Sequence, residues 1–400
     1  MDQGVGRPAF PVSQGMCQGD VIRSPGLSAK RRPKLSANTL QPRTPAKYSV
    51  PIATGREGRP GAATRYRVGV DGPPLASLPT ASDDSARIER FLLDTVRIDN
   101  DPYLTEIASH LIKAGGKRQR PLFTINSAAT RMDDGASVSD DVVRGGVAVE
   151  LVQVGSLYHD DVIDEAQIRR QVDSVNARWG NLRAVLAGDF LLAKASEIAA
   201  DLGTDVAGLL ATTIGELCKG QVAELQTLYD PDRTPEQYFT SISGKTASLF
   251  AAATRIGGLV AELEPDVTDQ LTEFGRLYGM AFQVIDDILD IIATDEQLGK
   301  PAGKDMIEGV YSLPVLYALQ SDRGPQLRDL LDARVTADNR FEAIDHVRRS
   351  AAIDRSYDTA SEFVDRARAA ILDVSDNKAA NALADTASHL LTTVDRIRNA

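Results

Sequence analysis

The pattern Asp-Asp-x-x-Asp occurs twice in the sequence, and the second copy follows the first by 126 residues. The six residues are Asp160, Asp161, Asp164, Asp286, Asp287 and Asp290. On a helix the first and last aspartates of each copy share one face, where like charges repel unless a cation holds them together. Each copy ends a largely apolar stretch, in which uncompensated carboxylates are costly. The two copies therefore predict an all-oxygen site for Mg2+, which binds through a few carboxylates and substrate phosphates.

Basic residues that lie near both aspartate motifs in the sequence indicate that this cation site serves an anionic ligand. A glycine pair is followed by three cations in a loop that leads into a predicted helix, whose N-terminus also favours anions. These residues are Gly115, Gly116, Lys117, Arg118 and Arg120. Further candidates are Arg169, Arg170, Lys245, Thr246 and Lys300. One metal-dependent anion site and one site of Lys and Arg, set in an apolar bundle, predict two phosphorylated substrates with apolar bodies.

Helices must position these residues, because apolar positions recur at helical spacing from about residue 81 and no stretch alternates long enough to make a convincing strand. Helices are predicted over residues 84–97, 101–114, 119–132, 139–166, 174–201, 204–228, 234–256, 265–294, 308–321, 325–334, 338–351, 354–373 and 376–398. Ser82, Asp83 and Asp84 are expected to supply the first N-cap. Residues 147–157 and 277–285 are apolar nearly all round, which is typical of helices inside a large bundle. The fold is predicted to be all-α: a large single-domain bundle over residues 81–400 around a central apolar cavity.

The first 80 residues differ from this body in composition. They contain 12 Lys or Arg against 4 Asp or Glu, and 11 of the 19 prolines. Such a segment buries too little apolar surface to offset its ordering entropy, so residues 1–80 are predicted to be a disordered basic tail. A targeting sequence, a basic nucleic-acid or membrane arm, wrongly included upstream sequence and a functionally minor tail all stay open.

Composition also excludes several classes. No run of about 18 apolar residues occurs, so no membrane-spanning helix is expected. The two cysteines, Cys17 and Cys218, argue against a disulfide scaffold and favour a reducing, cytoplasmic location. The acidic body argues against nucleic acid as a partner of the folded part.

Taken in order, the motifs closely resemble those of the all-trans polyprenyl diphosphate synthase family, from residue 81 to near the C-terminus. The matching features are the Gly-Gly-Lys-Arg loop, the first aspartate motif with its Arg-Arg pair, Lys-Thr, Phe-Gln before the second aspartate motif, and Gly299-Lys300 with Lys304-Asp305 after it. The resemblance implies condensation of isopentenyl diphosphate with an allylic diphosphate, by ionisation of the allylic diphosphate, attack by the homoallylic double bond and proton loss. It also implies a homodimer.

The resemblance further implies a role for each matching residue. Two or three Mg2+ ions would be held on the allylic diphosphate by Asp160, Asp164, Asp286, Asp287 and Asp290, with Asp161 in support. The remaining allylic diphosphate contacts would be Arg169, Lys245, Thr246, Gln283 and Lys300. The isopentenyl diphosphate site would comprise Lys117, Arg120, Gln153 and Arg170. At Gln153 many bacterial members carry His, and at Val310 many members carry Lys, so the resemblance is to a diverged member of the family.

Product length is expected to depend on residues four and five before Asp160. These are Ser156 and Gly155, both too small to block a growing chain, and the next barrier is Val152, one helical turn further. The expected product is therefore C20 or longer.

Other functions stay open at this stage: a geranyl or farnesyl diphosphate synthase, a class I terpene cyclase, or a non-catalytic partner subunit of a heteromeric synthase. The repeated aspartate motif argues against the cyclase, whose second metal motif differs, and against a partner subunit, which would be expected to lose one motif. His159 is expected to have a packing role.

Overall fold

Helices and the turns between them make up almost all of the described structure, a computed structural model that covers residues 74–298 and 301–399. Most of the predicted disordered tail, residues 1–73, therefore lies outside the described residues. The candidate ligand Lys300 lies outside them as well. Residues Pro74–Ser77 form a 3-10 helix, and Leu75 is buried in the core. The packed body thus begins several residues before the predicted boundary at 81.

The all-α prediction is confirmed. The helices are α1 Ala81–Thr95, α2 Pro102–Ala108, α3 His110–Lys113, α4 Gln119–Ala129, α5 Asp140–Ile163, α6 Val175–Trp179, α7 Asn181–Asp201, α8 Thr204–Leu225, α9 Pro235–Ile242, α10 Ser248–Val260, α11 Pro265–Ile292, α12 Asp295–Leu298, α13 Lys304–Ile307, α14 Leu313–Leu319, α15 Gly324–Asp332, α16 Arg340–Arg348, α17 Ala352–Leu372 and α18 Lys378–Arg398. A π-helical turn, Ser243–Ala247, joins α9 to α10.

The two helices predicted to be central are buried along much of their length. Along α5, residues such as Val147 and Leu151 are fully buried, and α5 packs lengthwise on α7. Along α11, Leu277 and Ile285 are buried between α10 and α17. Residues 147–157 of α5 and 277–285 of α11 are apolar on nearly every side, so these parts of the helices are stable only when other helices surround them.

Several boundaries differ from the predictions. Thr80 occupies the N-cap of α1, so the expected cap residues 82–84 lie within its first turn. The predicted helix 174–201 is broken at Gly180, whose φ of +86° a helix cannot accommodate. The π turn interrupts the predicted helix 234–256.

A two-stranded antiparallel hairpin after α5 was not predicted. Its strands are β1 Ile168–Arg169 and β2 Val172–Asp173, too short to show an alternating pattern. The turn residues Arg170 and Gln171 have φ of +52° and +64°, the left-handed conformation that two-residue hairpin turns require. Neither residue is a glycine, so the sequence carries no usual signal for this turn.

Candidate active site

Both aspartate motifs line one cavity of about 550 Å³. Asp160 and Asp164 come from the C-terminal end of α5, and Asp286 and Asp287 come from the last turns of α11. The other predicted residues in its lining are Arg169, Lys245 and Gln283. The wall also has apolar patches, formed by Leu157, Ile163, Leu225, Leu228 and Ile242. The cavity therefore combines a highly charged end with surface suited to a hydrocarbon chain.

The three aspartates of the first motif differ in exposure: Asp161 is buried, Asp160 is half-buried and Asp164 is exposed. Burial raises the pKa of Asp160 and Asp164 above the ordinary value, while Lys245 and Arg169 act in the opposite direction. Asp161 is fully buried behind the wall and accepts hydrogen bonds from Arg169, whose Nε and Nη2 lie 2.8 and 2.6 Å from Asp161 Oδ1. Asp161 therefore orients Arg169, whereas its predicted support of the Mg2+ ligands stays a prediction.

A chain of hydrogen bonds holds the second motif. Thr246 Oγ1 donates to Gln283 Oε1 at 2.8 Å, and Gln283 Nε2 donates to Asp287 Oδ1 at 3.0 Å. Tyr238 donates to the other oxygen of Asp287 at 2.5 Å. Burial raises the pKa of Asp287 to about 7 despite these donors. Asp290 is buried and is not among the residues that line the cavity, and its predicted ligand role stays a prediction.

Lys245 reaches the cavity from the π turn, a feature often found at functional sites. Its Nζ lies 2.6 Å from Glu224 Oε1 on α8. Burial alone would lower the pKa of Lys245, but Glu224, followed by Asp160 and Asp164, raises it overall. Lys245 thus stays a cation beside the first aspartate motif.

The predicted isopentenyl diphosphate residues lie in a separate region, outside the lining of this cavity. Arg170 donates to the carbonyls of Leu111 (2.8 Å) and Gly115, so it ties the glycine loop to the hairpin. Arg120 lies 4.4 Å above the ring of Phe250, and burial lowers its pKa to about 10. Lys117 is exposed at the loop, and Gln153 is half-buried on α5.

Arg118, which the sequence presented as one of three equivalent cations, has a structural role. Its side chain is buried, with Nε 2.6 Å from Glu89 and Nη1 3.1 Å from Glu150, and it donates to the Ile112 carbonyl. Its backbone has a φ of +47°. These contacts fix the loop that presents Lys117 and Arg120.

The residues predicted to set product length have different surroundings. Val152 is fully buried, and Gly155 faces α7: a Cβ added there would lie 3.1 Å from the Gly188 carbonyl. Ser156 is half-buried on the same face of α5 as Asp160. His159 packs against Gly188, and its Nε2 is hydrogen-bonded to the Val185 carbonyl at 3.1 Å. This is the packing role that was expected.

Sequence reasoning missed several residues of the site. They are Glu224, Arg233, Tyr238 and Glu308, all in the cavity lining. Tyr238 could have been found, because it lies seven residues before Lys245 and seven residues is two helical turns. The others depend on contacts between distant segments.

The donor chemistry fits magnesium, since carboxylate oxygens are its preferred protein ligands. One oxygen of Asp161, Oδ2, is buried without a hydrogen-bond partner among the described residues. Over residues 74–298 and 301–399, no three acidic, His or Cys side chains converge into a ready-made metal site. Phosphate oxygens of a substrate would therefore have to complete the coordination.

Comparison with known proteins identifies the family. The sequence model of the family described as polyprenyl synthetase matches residues 101–349, more than half of the chain. The chain belongs to the polyprenyl synthetase family. This synthase is 39% identical to nonaprenyl diphosphate synthase of Mycobacterium tuberculosis, over 75% of this chain and 90% of the relative. It is 37% identical to heptaprenyl diphosphate synthase component 2 of Geobacillus stearothermophilus, over 77% and 95%.

Solved structures agree with this assignment. Polyprenyl synthase of Caulobacter crescentus, crystallised with calcium and isoprenyl diphosphate, superposes with a TM-score of 0.73 and 32% identity, over 80% of this chain and 96% of that one. The predicted family, enzyme class and all-α synthase fold are confirmed. Among the described residues of this synthase, no helix is both long and apolar enough to cross a membrane.

Proposed function

We propose that this synthase condenses isopentenyl diphosphate with an allylic diphosphate to give an all-trans polyprenyl diphosphate of C20 or longer. The observation that carries the proposal is that both aspartate motifs, together with Arg169 and Lys245, line one partly apolar cavity. Relatives named nonaprenyl and heptaprenyl diphosphate synthases support a long product. The shorter geranyl and farnesyl products are the alternative that the product analysis below tests.

In this reaction the C1–O bond of the allylic diphosphate breaks, and C1 bonds to the terminal alkene carbon of isopentenyl diphosphate. A proton is then lost, and the released pyrophosphate can accept it. Bound Mg2+, held by Asp160, Asp164, Asp286 and Asp287, with Asp290 behind them, would neutralise charge on the leaving group.

The synthase's own side chains contribute in three ways. The allylic diphosphate is bound by Arg169, Lys245, Thr246, Gln283 and, from the sequence alone, Lys300. The isopentenyl diphosphate is bound by Lys117, Arg120, Gln153 and Arg170. The apolar side chains of the cavity wall would limit the access of water, which would otherwise hydrolyse the carbocation.

The test is an assay with Mg2+, farnesyl diphosphate and labelled isopentenyl diphosphate, with products identified by mass spectrometry. Wild type is expected to release C20 or longer products, and Asp160→Ala or Asp286→Ala is expected to abolish incorporation. Asp269→Ala, an exposed aspartate near the start of α11, serves as the matched control. Incorporation that survives the first two substitutions would contradict the assigned site, and release of only C10 or C15 would contradict the proposed length.

We also propose that the synthase is a cytoplasmic homodimer. Exposed apolar side chains follow α7 and α8, with Leu182 73%, Leu186 57% and Val222 52% exposed, and such a face favours association. Light scattering of the purified chain is expected to give twice 43.0 kDa, and Leu186→Glu is expected to dissociate it. Because one relative is named component 2 of its enzyme, inactivity of the pure chain that is restored by a second protein would instead indicate a heteromer. Cell fractionation tests the location.

A further inference from the structure

Two glycines bring α8 and the π turn into backbone contact beside the cavity. A Cβ added to Gly220 would lie 2.3 Å from the backbone nitrogen of Lys245, and one added to Gly244 would lie 2.7 Å from the Glu216 carbonyl. Any side chain at either position would push the two segments apart. This approach places Glu224, one turn after Gly220, next to Lys245.

At this contact one carboxylate pairs directly with the Lys245 ammonium, and two others act on it from further away. Glu224 Oε1 is 2.6 Å from Lys245 Nζ, and the two side chains are 13% and 33% exposed. Asp160 and Asp164 also interact electrostatically with Lys245, but more weakly than Glu224 does. Lys245 is therefore held on the α8 side of the cavity, although two motif aspartates lie within its electrostatic reach.

A second lysine of the lining is held in the same way. Lys304 Nζ lies 2.8 Å from Glu308 Oε1, and Lys304 interacts electrostatically with Asp161 and Asp164. In both pairs the partner is a glutamate outside the aspartate motifs. The motif aspartates of the cavity are thus spared from pairing with either lysine.

We propose that Glu224 is a positioning residue that holds Lys245 away from Asp160 and Asp164, and so keeps these carboxylates available for magnesium diphosphate. The inference rests on the proposed function. Without Glu224 the ammonium would swing to the nearest carboxylates, and a cation paired there competes directly with Mg2+. With Glu224 present, Lys245 stays beside the metal site, where it can reach the phosphate.

The test is Glu224→Gln, which removes the charge and keeps the shape. Isothermal titration of inorganic pyrophosphate in the presence of Mg2+, and separately the Mg2+ dependence of turnover, are the readouts. The Mg2+ concentration for half-saturation is expected to rise about tenfold, while kcat at saturating Mg2+ falls by less. Glu224→Asp keeps the charge, so it is expected to raise the Mg2+ concentration for half-saturation less than Glu224→Gln does. Glu216→Gln is the matched control, because Glu216 forms a similar 2.8 Å pair with Lys219 on the outer side of the same helix.

A double-mutant cycle separates positioning from general structural support. If Glu224 acts through Lys245, Glu224→Gln should have little further effect on Mg2+ dependence in a Lys245→Met background. An unchanged Mg2+ half-saturation in Glu224→Gln, or an equal effect in both backgrounds, would overturn the inference. Absence of incorporation by the wild-type enzyme would instead refute the proposed function, so the two failures are distinguishable.

Discussion

Glu150 offers the sharpest test of how the basic region is held. It lies on α5 with a 4% exposed side chain, 3.1 Å from Arg118 and 3.8 Å from Arg170, and its charge also acts on the buried Arg120. Burying arginines close together is costly unless an anion compensates them. Glu150 is the buried anion shared by all three.

Glu150→Gln is expected to destabilise the fold substantially. Removing one partner of a buried ion pair costs about 3–5 kcal/mol, and the lower end applies because Arg118 keeps Glu89. With an unfolding entropy of about 2.1 cal/mol/K per residue over roughly 320 residues, 3 kcal/mol lowers Tm by about 4 °C. The KM for isopentenyl diphosphate should also rise, roughly tenfold, because Arg120 and Arg170 lose their shared anchor.

The assay is thermal denaturation together with steady-state kinetics. Glu106→Gln is the control, since Glu106 pairs with Arg178 at 2.9 Å in a half-exposed position where a pair contributes about 0–1 kcal/mol. A Glu150→Gln protein that melts within about 1 °C of wild type, or no lower than the control, would refute this account of the basic region.

Three further predictions concern the cavity. The pKa of Asp287 is raised from 3.8 to about 7, so its contribution to the stability of metal-free protein is complete at low pH and is lost as the pH rises through 7. In EDTA, Tm should therefore fall as the pH rises from about 4 to about 7 and level off above that, and the fall should be smaller in Asp287→Asn; equal slopes would contradict it. Tyr238→Phe removes the 2.5 Å donor to Asp287, should cost about 1.5–3 kcal/mol by denaturant unfolding, and should shift the pH-dependent fall upward. Ser156→Phe should shorten the product as measured by mass spectrometry, whereas Gly155→Phe should mainly destabilise the protein; an unchanged product from Ser156→Phe would show that residue 156 lies away from the growing chain.

The features that were predicted well are helices that show a long, regular pattern of apolar residues in the sequence. The helices around Val147 and Leu277 are apolar on nearly all sides, so their central position follows from the hydrophobic effect alone. The aspartates that end these helices were expected to face a common space, because carboxylates that follow buried apolar segments are costly unless they share a cation or reach solvent. The convergence of Asp160 and Asp286 on one cavity was therefore predictable.

The parts that were missed depend on local geometry or on contacts between distant segments. Sequence cannot distinguish the buried Arg118 from the exposed Lys117, because only packing against Glu150 separates them. The proximity of Glu224 to Lys245 requires two glycines in different helices to touch. Neither feature leaves a periodic signal along the chain.

The hairpin after α5 directs two consecutive arginines to two regions, which are the two diphosphate sites proposed above. Arg169, in β1, turns back to Asp161 and the cavity, whereas Arg170, in the turn, points to the carbonyls of Leu111 and Gly115 in the glycine loop. A continuous helix would separate neighbouring side chains by only about 100° around its axis, so the hairpin is what directs them to opposite regions. Its cost is the left-handed backbone at Arg170 and Gln171. Since strain of this kind persists only where its surroundings enforce it, the contacts of Arg169 and Arg170 help to hold the hairpin, which they connect to the cavity on one side and to the glycine loop on the other.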